Sequence, residues 1–250
     1  MPLTIQKEQQ KNILNNAKAT NPILQERPAV LDKDKVREII AKRAAKEFKD
    51  GDAVTLGIGL PTAVANYIPK GMTVWFQSES GLLGQGPDKE ESKRDRKVIN
   101  AGGIDVEHVK GACFYDSEMA FTMMRGGHID ATVLGALQVD SEGNLASWII
   151  PGKFIPGIGG SMDLIVGAKK VIVAMEHTSK GQIKILDKCT LPLTAYKEVD
   201  LIITERCVFE VSENGLILTE INPMFTIEDI KKVTAARFTV SENLKHMDIN

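Results

Sequence analysis

The sequence predicts an α/β fold with a single open, mostly parallel sheet and helices on both faces. Two observations predict it. Residues 171–175 and 201–203 form continuous apolar runs, as expected of parallel strands that are covered on both faces. Segments with the apolar spacing of an amphipathic helix alternate with such runs along the chain.

Glycines mark the ends of two of the predicted helices. Apolar residues recur on one face of residues 34–49, and Asp50-Gly51 ends this helix. Connecting helices are predicted at 116–125, which Gly126-Gly127 closes, and at 226–236. The predicted strands are residues 54–60, 73–77, 129–138, 145–150, 170–175 and 199–204.

Composition limits the classes of function. With 250 residues, 43% of them apolar, the chain can bury a full core without disulfides or metals. A net charge of −2 and few aromatic residues leave no basic field or stacking platform for nucleic acid. No apolar stretch approaches the roughly 20 residues that cross a bilayer, and no signal core is present. We expect a soluble, cytoplasmic protein that binds neither nucleic acid nor membrane.

The cysteines and histidines predict neither a disulfide nor a metal site. Cys113, Cys189 and Cys207 are odd in number and far apart, which fits a reducing cytosol. The four histidines lack the close spacing of a metal pair. Cys113 and one of the histidines could form a nucleophile and its base. The segment around Cys113, Gly-Ala-Cys-Phe-Tyr, is however more typical of a buried core.

Residues 1–31 do not continue the α/β pattern, so we expect the domain to span residues 32–250. The segment is polar, rich in Asn and Gln, and has only a weak apolar trace. We predict an arm or an extra helix that lies on a partner. A targeting peptide is the alternative, which Glu8, Glu26 and the absence of arginine before Arg27 disfavour.

Glu79 is the strongest candidate for a reactive side chain. It follows the apolar run Val74-Trp75-Phe76 and therefore lies beyond the carboxyl end of a predicted strand, where open α/β sheets bind ligands. Gly81, Gly84 and Gly86 follow, and glycines let a ligand approach backbone N–H groups closely. The pattern predicts a reactive carboxylate beside a binding loop; the alternative is a polar turn with a left-handed glycine.

Two other glycine-rich segments follow predicted strands. The segment Gly57-Ile58-Gly59-Leu60-Pro61-Thr62 precedes a helix, so its amides are candidates for holding a phosphate or a carbonyl oxygen. A tight turn that serves packing is the alternative there. Pro156-Gly157-Ile158-Gly159-Gly160-Ser161-Met162-Asp163 is the stronger signal, because its three glycines can aim N–H groups at a developing oxyanion.

Taken together, these segments resemble the B (β) subunit of the family I CoA-transferases, of the 3-oxoacid and butyrate-acetoacetate type. The resemblance runs from about Lys33 to about Met224, in the family's order, and departs from it at Ser80, where the family usually has Asn. It implies a Rossmann-like sheet of the CoA-transferase and ribose-5-phosphate-isomerase type. The matching segments beyond those above are residues 40–45, 77–79, 81–84, 86–87, 100–103, 159–164 and 176–181.

A second glutamate, Glu213, has a closer local match to the family's Ser-Glu-Asn-Gly string than Glu79 has. It lies between two β-type runs, 208–211 and 216–220, joined by Asn-Gly, which is a strong hairpin signal. Glu79 alone is followed by Leu-Leu-Gly-x-Gly-Pro. We therefore predict a surface turn for Glu213 and carry the family's glutamate over to Glu79.

The resemblance implies that Glu79 is a nucleophile that attacks an acyl-CoA thioester. An acyl-glutamyl anhydride and CoA thiolate would form first, then a glutamyl-CoA thioester, from which an incoming acid takes CoA. The Gly160 N–H is the candidate oxyanion donor. No tightly bound cofactor is implied, since CoA enters as a substrate. The remaining residues expected to bind substrate are Gly57, Ile58, Gly59, Leu60, Pro61, Ser80, Gly159 and Lys180.

The resemblance also implies a partner. In this family an A (α) subunit supplies a Gly-x-Gly-Gly-Phe loop, which this sequence lacks, so we expect a heterotetramer or larger hetero-oligomer. Acetoacetate, acetate and butyrate are the acids that the resemblance favours for this transferase of sulfur-containing groups. Two alternatives remain open: a sugar-phosphate isomerase that uses the carboxylate as a base, and a ligand sensor without catalysis.

Overall fold

The structure, a computed structural model, describes residues 31–91, 97–100, 102–153 and 157–249. All of the predicted N-terminal extension except Leu31 lies outside these ranges, so the arm or extra helix stays a prediction. Within the described ranges, no helix is long and apolar enough to cross a membrane.

The described chain alternates helices and strands as the sequence predicts. The helices are α1 (Lys33–Ala45), α2 (Ser117–Arg125), α3 (Ser161–Val166) and α4 (Ile227–Val233), with one 3-10 helix, η1 (Leu60–Tyr67). The strands are β1 (Ala53–Leu56), β2 (Trp75–Ser78), β3 (Leu82–Asp88), β4 (Val106–Phe114), β5 (Ala131–Leu134), β6 (Gln138–Asp140), β7 (Leu145–Ala146), β8 (Val171–Ala174), β9 (Thr178–Ser179), β10 (Gln182–Ile183), β11 (Ile185–Leu186), β12 (Leu201–Ile203), β13 (Cys207–Ser212), β14 (Gly215–Ile221) and β15 (Phe238–His246).

Ten of the described strands form one sheet, in the order β15-β14-β13-β12-β8-β5-β1-β2-β3-β4. The central strands β12, β8, β5, β1 and β2 are all parallel to their neighbours in this run. Antiparallel hairpins extend the sheet at both ends, β2-β3-β4 on one side and β12-β13-β14 on the other. The parallel centre places the carboxyl ends of β1, β2 and β5 side by side.

Helices cover both faces of this sheet, as predicted. Met124 of α2, Ile165 of α3 and Ile230 of α4 belong to one buried cluster with Val171 and Ile202. Side chains alternate between the two faces along a strand, so the neighbouring buried residues of β8 and β12 lie on the opposite face. Helix α1 contacts β8 and β12 there and also packs against η1.

Two predicted strands are shorter than expected because the chain leaves the main sheet. The predicted strand 129–138 ends at Leu134, and Gln138 starts β6 of a separate three-stranded sheet, β11-β6-β7. Of the predicted strand 145–150, only Leu145–Ala146 is a strand, and it belongs to this small sheet. The buried Asp140 carboxylate accepts hydrogen bonds from the backbone N–H groups of Asn144 and Cys189. These bonds stabilise the connection between the main sheet and the small sheet.

The glycines that follow Glu79 correct one expectation from the sequence. Gly84 and Gly86 lie within β3, which pairs with β2 and β4, and not in a ligand-binding loop. A Cβ on Gly84 would lie 2.9 Å from the Cβ of Ala112, and one on Gly86 would lie 3.1 Å from the Glu107 carbonyl. These two glycines are required for the close approach of β4.

An ion network joins α1 to β14, the second strand from one edge of the sheet. Arg43 is 8% exposed and donates two hydrogen bonds of 2.7 Å to the Glu220 carboxylate on β14. Its third donor bonds Glu47 at 2.5 Å, and Glu47 also pairs with Lys170. The fork of a guanidinium matches a carboxylate in this bidentate geometry. Removing Arg43 leaves two partly buried carboxylates with less compensating charge.

We expect Arg43→Ala to lower the free energy of unfolding by about 3 kcal/mol, because breaking one side of a buried ion pair leaves uncompensated charge. Urea denaturation of the purified chain measures this. The matched control is Lys231→Ala, which removes an exposed pair with Glu228 and is expected to change little. Equal stability of the two variants would contradict the role of the network.

Candidate active site

Glu79 lies in the tight turn that joins β2 to β3. The Gly81 N–H donates to the Ser78 carbonyl at 3.0 Å, and Gly81 has φ +100°, a left-handed conformation that favours glycine. A Cβ on Gly81 would lie 1.8 Å from the Tyr115 carbonyl oxygen. The polar-turn reading of this segment is therefore correct for the backbone, and it fixes where the carboxylate of Glu79 projects.

The Glu79 carboxylate lies directly against the backbone of Gly160. A Cβ on Gly160 would be 2.2 Å from Glu79 Oε2 and 3.0 Å from the ring of Phe121. Oε2 is buried and has no hydrogen-bond partner in the described part of the chain. Burial, and secondarily the negative charge of Asp163, raises the pKa of Glu79. Glu79 as a whole is half-buried, and a buried carboxylate oxygen without a partner is unusual because buried charged groups are normally paired.

A cavity of about 470 Å³ opens beside Glu79. This volume falls in the range of roughly 300–1,000 Å³ that small-molecule sites occupy. The carboxyl ends of β1, β2 and β5 form its floor, as the strand order requires. The described lining residues are 55–58, 77–79, 134–137 and 157–161, with Thr62, Gln85, Asn100, Ser147 and Leu164.

The cavity brings together five of the predicted site residues and leaves five outside its described lining, among them Gly59. Those that line it are Gly57, Ile58, Glu79, Gly159 and Gly160. Leu60 and Pro61 begin η1, and Ser80 is exposed with its hydroxyl 2.7 Å from that of Ser78. Lys180 is at the exposed turn of the β9-β10 hairpin with φ 49°. Their roles in binding substrate stay predictions.

The amide of Gly57 corrects a second expectation, whereas the roles of the other amides in residues 57–62 stay predictions. The Gly57 N–H donates to the Val133 carbonyl at 2.8 Å and so is not available to a ligand. A Cβ on Gly57 would lie 2.8 Å from Leu134, which shows that this glycine serves close packing between β1 and β5. The Gly59 carbonyl accepts from Arg37 and Thr62. Only Ile58, 69% exposed, projects freely at the mouth of the cavity.

Three polar residues of the cavity escaped the sequence analysis. Thr55 of β1 and Gln77 of β2 are paired in register, and both are buried. The amide atoms of Gln77 make no hydrogen bond of normal geometry among the residues described, although they lie close enough to the Tyr115 hydroxyl to oppose the rise of its pKa on burial. Asn100 Nδ2 likewise has no partner there. Gln77 could have been found from the sequence, because it is a polar residue at a buried position of an otherwise apolar strand. Asn100 had no comparable signal, because it lies in a connecting turn.

Three other reactive side chains that the sequence suggested, Cys113, Cys207 and Glu213, form no second site with the residues that the structure describes. Cys113 is exposed on β4, and Glu213 is exposed at the tip of the β13-β14 hairpin, as predicted. Cys207 lies 3.7 Å from His177, but burial raises the pKa of the thiol and lowers the pKa of the imidazole to about 3. Both groups are kept neutral. Across the described ranges no three His, Cys, Asp or Glu side chains cluster as a metal site would require.

Comparisons with known proteins agree with this geometry. A family model described as Coenzyme A transferase matches residues 37–233. The acetate CoA-transferase subunit beta of Haemophilus influenzae is 50% identical over 215 residues, which cover 86% of this chain and 96% of that protein. The mitochondrial succinyl-CoA:3-ketoacid coenzyme A transferase 2B of Mus musculus is 50% identical over 223 residues, 88% of this chain and 43% of that protein.

A solved structure supports the fold. An acyl-CoA transferase from Escherichia coli O157:H7 has a TM-score of 0.67 to this chain at 22% identity. The match covers 88% of this chain and 44% of that one, so the chain spans less than half of that protein. The predicted fold class is confirmed.

The geometry predicts how the pKa of Glu79 responds to a neighbour. Because the charge of Asp163 contributes to raising it, we expect Asp163→Asn to lower the pKa of Glu79 and to keep the carboxylate ionised to lower pH. NMR titration of the ¹³C-labelled glutamate carboxyl measures this shift.

The control for this titration is Asp187→Asn, which removes an exposed acid from outside the cavity lining. It is expected to leave the pKa of Glu79 unchanged. An unshifted titration in Asp163→Asn would show that Asp163 does not act on Glu79.

Proposed function

Because this chain belongs to the coenzyme A transferase family, we propose that it is the B-type subunit of a CoA-transferase. The enzyme exchanges CoA between a short-chain acyl-CoA and a free carboxylic acid. The observation that carries this proposal is the buried, unpartnered oxygen of Glu79, which lies against Gly160 at the edge of a ligand-sized cavity. A ligand in the cavity can reach this carboxylate, and few hydrogen-bond donors of the protein compete with the ligand for its oxygen.

In the proposed first half-reaction, the Glu79 carboxylate attacks the carbonyl carbon of the thioester. The carbon–sulfur bond breaks, CoA leaves as the thiolate, and an acyl-glutamyl anhydride remains. The thiolate then attacks the glutamyl carbonyl of the anhydride. This forms a glutamyl-CoA thioester and releases the original acyl group as a carboxylate. The second half-reaction repeats these steps in reverse with the incoming acid.

The environment of Glu79 suits this chemistry in two ways. A nucleophilic carboxylate reacts as the anion, and the absence of a hydrogen-bond partner within the described chain leaves lone pairs of Oε2 available for attack. The apolar part of the cavity, which includes Leu56, Leu134 and Leu164, limits the access of water. Water must be limited because the anhydride and the thioester would both hydrolyse.

Gly160 is proposed to serve as the backbone donor for the oxyanion of the tetrahedral intermediates. The closeness of the Gly160 backbone to Glu79 Oε2 supports this proposal, because the oxyanion of each tetrahedral intermediate forms on the carbon bonded to this carboxylate or to the group it has attacked. A donor aimed at that oxygen stabilises the transition state more than the ground state. The absence of a side chain at Gly160 is what permits the contact.

We propose that an A-type subunit completes the enzyme. The Haemophilus influenzae relative is named as a subunit beta, and the mouse relative is about twice as long as the matching segment. Exposed apolar side chains around the site, Ile58, Met119 and Met162, are more than half exposed and suit coverage by another chain. The assembly is proposed to be a heterotetramer or larger, and the chain alone is expected to be inactive.

The proposed substrates are short acids. Acetate and 3-ketoacids occur in the names of the relatives, which supports acetate and acetoacetate as candidates, and butyrate is the third candidate. CoA is proposed to act as a substrate and not as a resident cofactor. The three described cysteines are unpaired, which suits a reducing compartment, so we propose that the reaction takes place in the cytoplasm.

A trapping experiment tests the nucleophile. With the chain and its A-type partner copurified, acyl-CoA is added without acceptor acid, followed by borohydride. We expect nearly complete loss of exchange activity, because borohydride reduces the glutamyl thioester to an alcohol and releases CoA. Glu79→Gln is expected to lower kcat by at least about 10³-fold, since it removes the attacking group.

Glu213→Gln is the matched control, because this exposed glutamate follows a serine and precedes a polar residue as Glu79 does. It is expected to retain activity and to remain sensitive to borohydride after acyl-CoA. Substantial exchange by Glu79→Gln would refute the proposed nucleophile. Activity that survives borohydride would refute the thioester and would favour a proton-transfer enzyme such as an isomerase.

Gly160→Ala tests the contact with Glu79. The added methyl group would lie 2.2 Å from Oε2, so the carboxylate must move, and we expect kcat to fall by about 10²- to 10³-fold. Gly135→Ala adds the same methyl group to the cavity lining, but into open space, and is expected to have a much smaller effect. Steady-state kinetics compare the two; equal losses would argue against the specific contact.

A further inference from the structure

Asn100 has a side chain that is held in one orientation by the turn that it builds. The turn precedes β4, and Asn100 is 3% exposed. Its Oδ1 accepts the backbone N–H of Gly102 at 2.9 Å and that of Ile104 at 3.0 Å. Because two donors converge on one atom, that atom is the oxygen, and the amide nitrogen must point the other way.

The amide nitrogen of Asn100 is a buried donor without an acceptor. Nδ2 has no hydrogen-bond partner in the parts of the chain that the structure describes. Asn100 also lines the cavity that contains Glu79. A buried N–H group without an acceptor destabilises the protein, and such groups are rare in native structures. The unpaired N–H donor of Asn100 therefore indicates that a ligand supplies its acceptor.

The two other buried asparagines of the described chain show what a purely structural amide looks like. Asn144 donates to Asp140 Oδ2 at 3.0 Å and accepts from the Lys197 N–H at 3.1 Å. Asn222 donates to the Glu205 carbonyl at 2.7 Å and accepts from the Met224 N–H at 3.0 Å. Both use each end of the amide within the chain, whereas Asn100 uses only its oxygen.

The surroundings of Asn100 indicate which part of the substrate it meets. A Cβ on Gly102 would be 3.7 Å from the side chain of Ile58, so the turn packs beside the Gly57–Gly59 segment at the cavity mouth. An N–H donor requires an acceptor, and acyl-CoA offers carbonyl oxygens in its thioester and in the amides of its pantetheine arm. A carbonyl oxygen of acyl-CoA is therefore an acceptor that the Asn100 amide can recognise.

We propose that Asn100 is a substrate-binding residue whose Nδ2 donates a hydrogen bond to a carbonyl oxygen of bound acyl-CoA. This inference rests on the proposed function and adds a residue to its site. The hydrogen bonds to Gly102 and Ile104 fix the donor before substrate arrives, so binding does not have to order the side chain.

Asn100→Asp tests the donor and preserves the turn. One carboxylate oxygen can still accept from Gly102 and Ile104, while the second replaces two N–H donors with an acceptor. In the complex with the A-type partner, we expect kcat/KM for acyl-CoA to fall by about 10- to 100-fold with little change in Tm. By contrast, Asn222→Asp removes a donor that has a partner inside the chain, and it is expected to lower Tm.

The added charge of Asn100→Asp needs its own control, because a second carboxylate would also raise the pKa of Glu79. Asn100→Ser is neutral, and its hydroxyl can still accept from Gly102 while it is too short to replace Nδ2. We expect it to show a similar loss of kcat/KM across the pH range. A wild-type kcat/KM in Asn100→Ser, or full recovery of Asn100→Asp at high pH, would overturn the proposal.

Binding of free CoA identifies the acceptor. Free CoA contains the pantetheine amides but no thioester carbonyl, so calorimetry on the variants separates the two. A Kd for CoA weakened by the same factor as kcat/KM assigns the bond to pantetheine, and an unchanged Kd assigns it to the thioester. Exchange activity in Glu79→Gln would refute the proposed function, whereas wild-type behaviour of both Asn100 variants would refute this inference alone.

Discussion

The contact between the Glu79 carboxylate and the backbone of Gly160 is the constraint on which the site depends. It requires a tight turn after β2, because Gly81 must approach the Tyr115 carbonyl, and it requires a residue without a side chain at position 160. The same contact holds Oε2 out of reach of other donors in the described chain. The proposed nucleophile thus has a carboxylate oxygen without a hydrogen-bond partner in the described chain, and the burial of the sheet offsets the free-energy cost of that arrangement.

The sheet offsets the free-energy cost of the unpaired carboxylate oxygen because the centre of the sheet is fully buried. Strands β5, β8 and β12 carry apolar side chains toward helices on both faces, and their parallel arrangement aligns the carboxyl ends of β1, β2 and β5. Several buried polar groups lie at that edge, among them Thr55, Gln77 and Asn100. Gln77 and Asn100 leave amide donors unpaired there, as Glu79 leaves an acceptor. Of the six buried side-chain atoms without a partner in the described chain, four belong to residues that line the cavity, and the other two belong to Asp105 and Tyr115.

Much of the fold was readable from the sequence, because continuous apolar runs such as 171–175 report burial on both faces. Glu79 could be proposed from the sequence because a carboxylate just beyond the end of a buried strand, before a run of glycines, is unusual. The roles of individual glycines were not: Gly57 and Gly84 serve strand packing, and Gly160 serves the contact with Glu79, although all three occur in similar strings. Close approach depends on residues distant in sequence. The position of Asn100 in the cavity could not be predicted for the same reason.

Mass spectrometry of the covalent intermediate tests the central claim most directly. The chain with its A-type partner is mixed with acyl-CoA in the absence of acceptor acid, quenched, digested and sequenced by fragmentation. The account predicts a peptide that carries CoA minus one water, with the modification on Glu79. Absence of this adduct under conditions of active exchange, or its location on another residue, would contradict the assignment of Glu79 as the nucleophile.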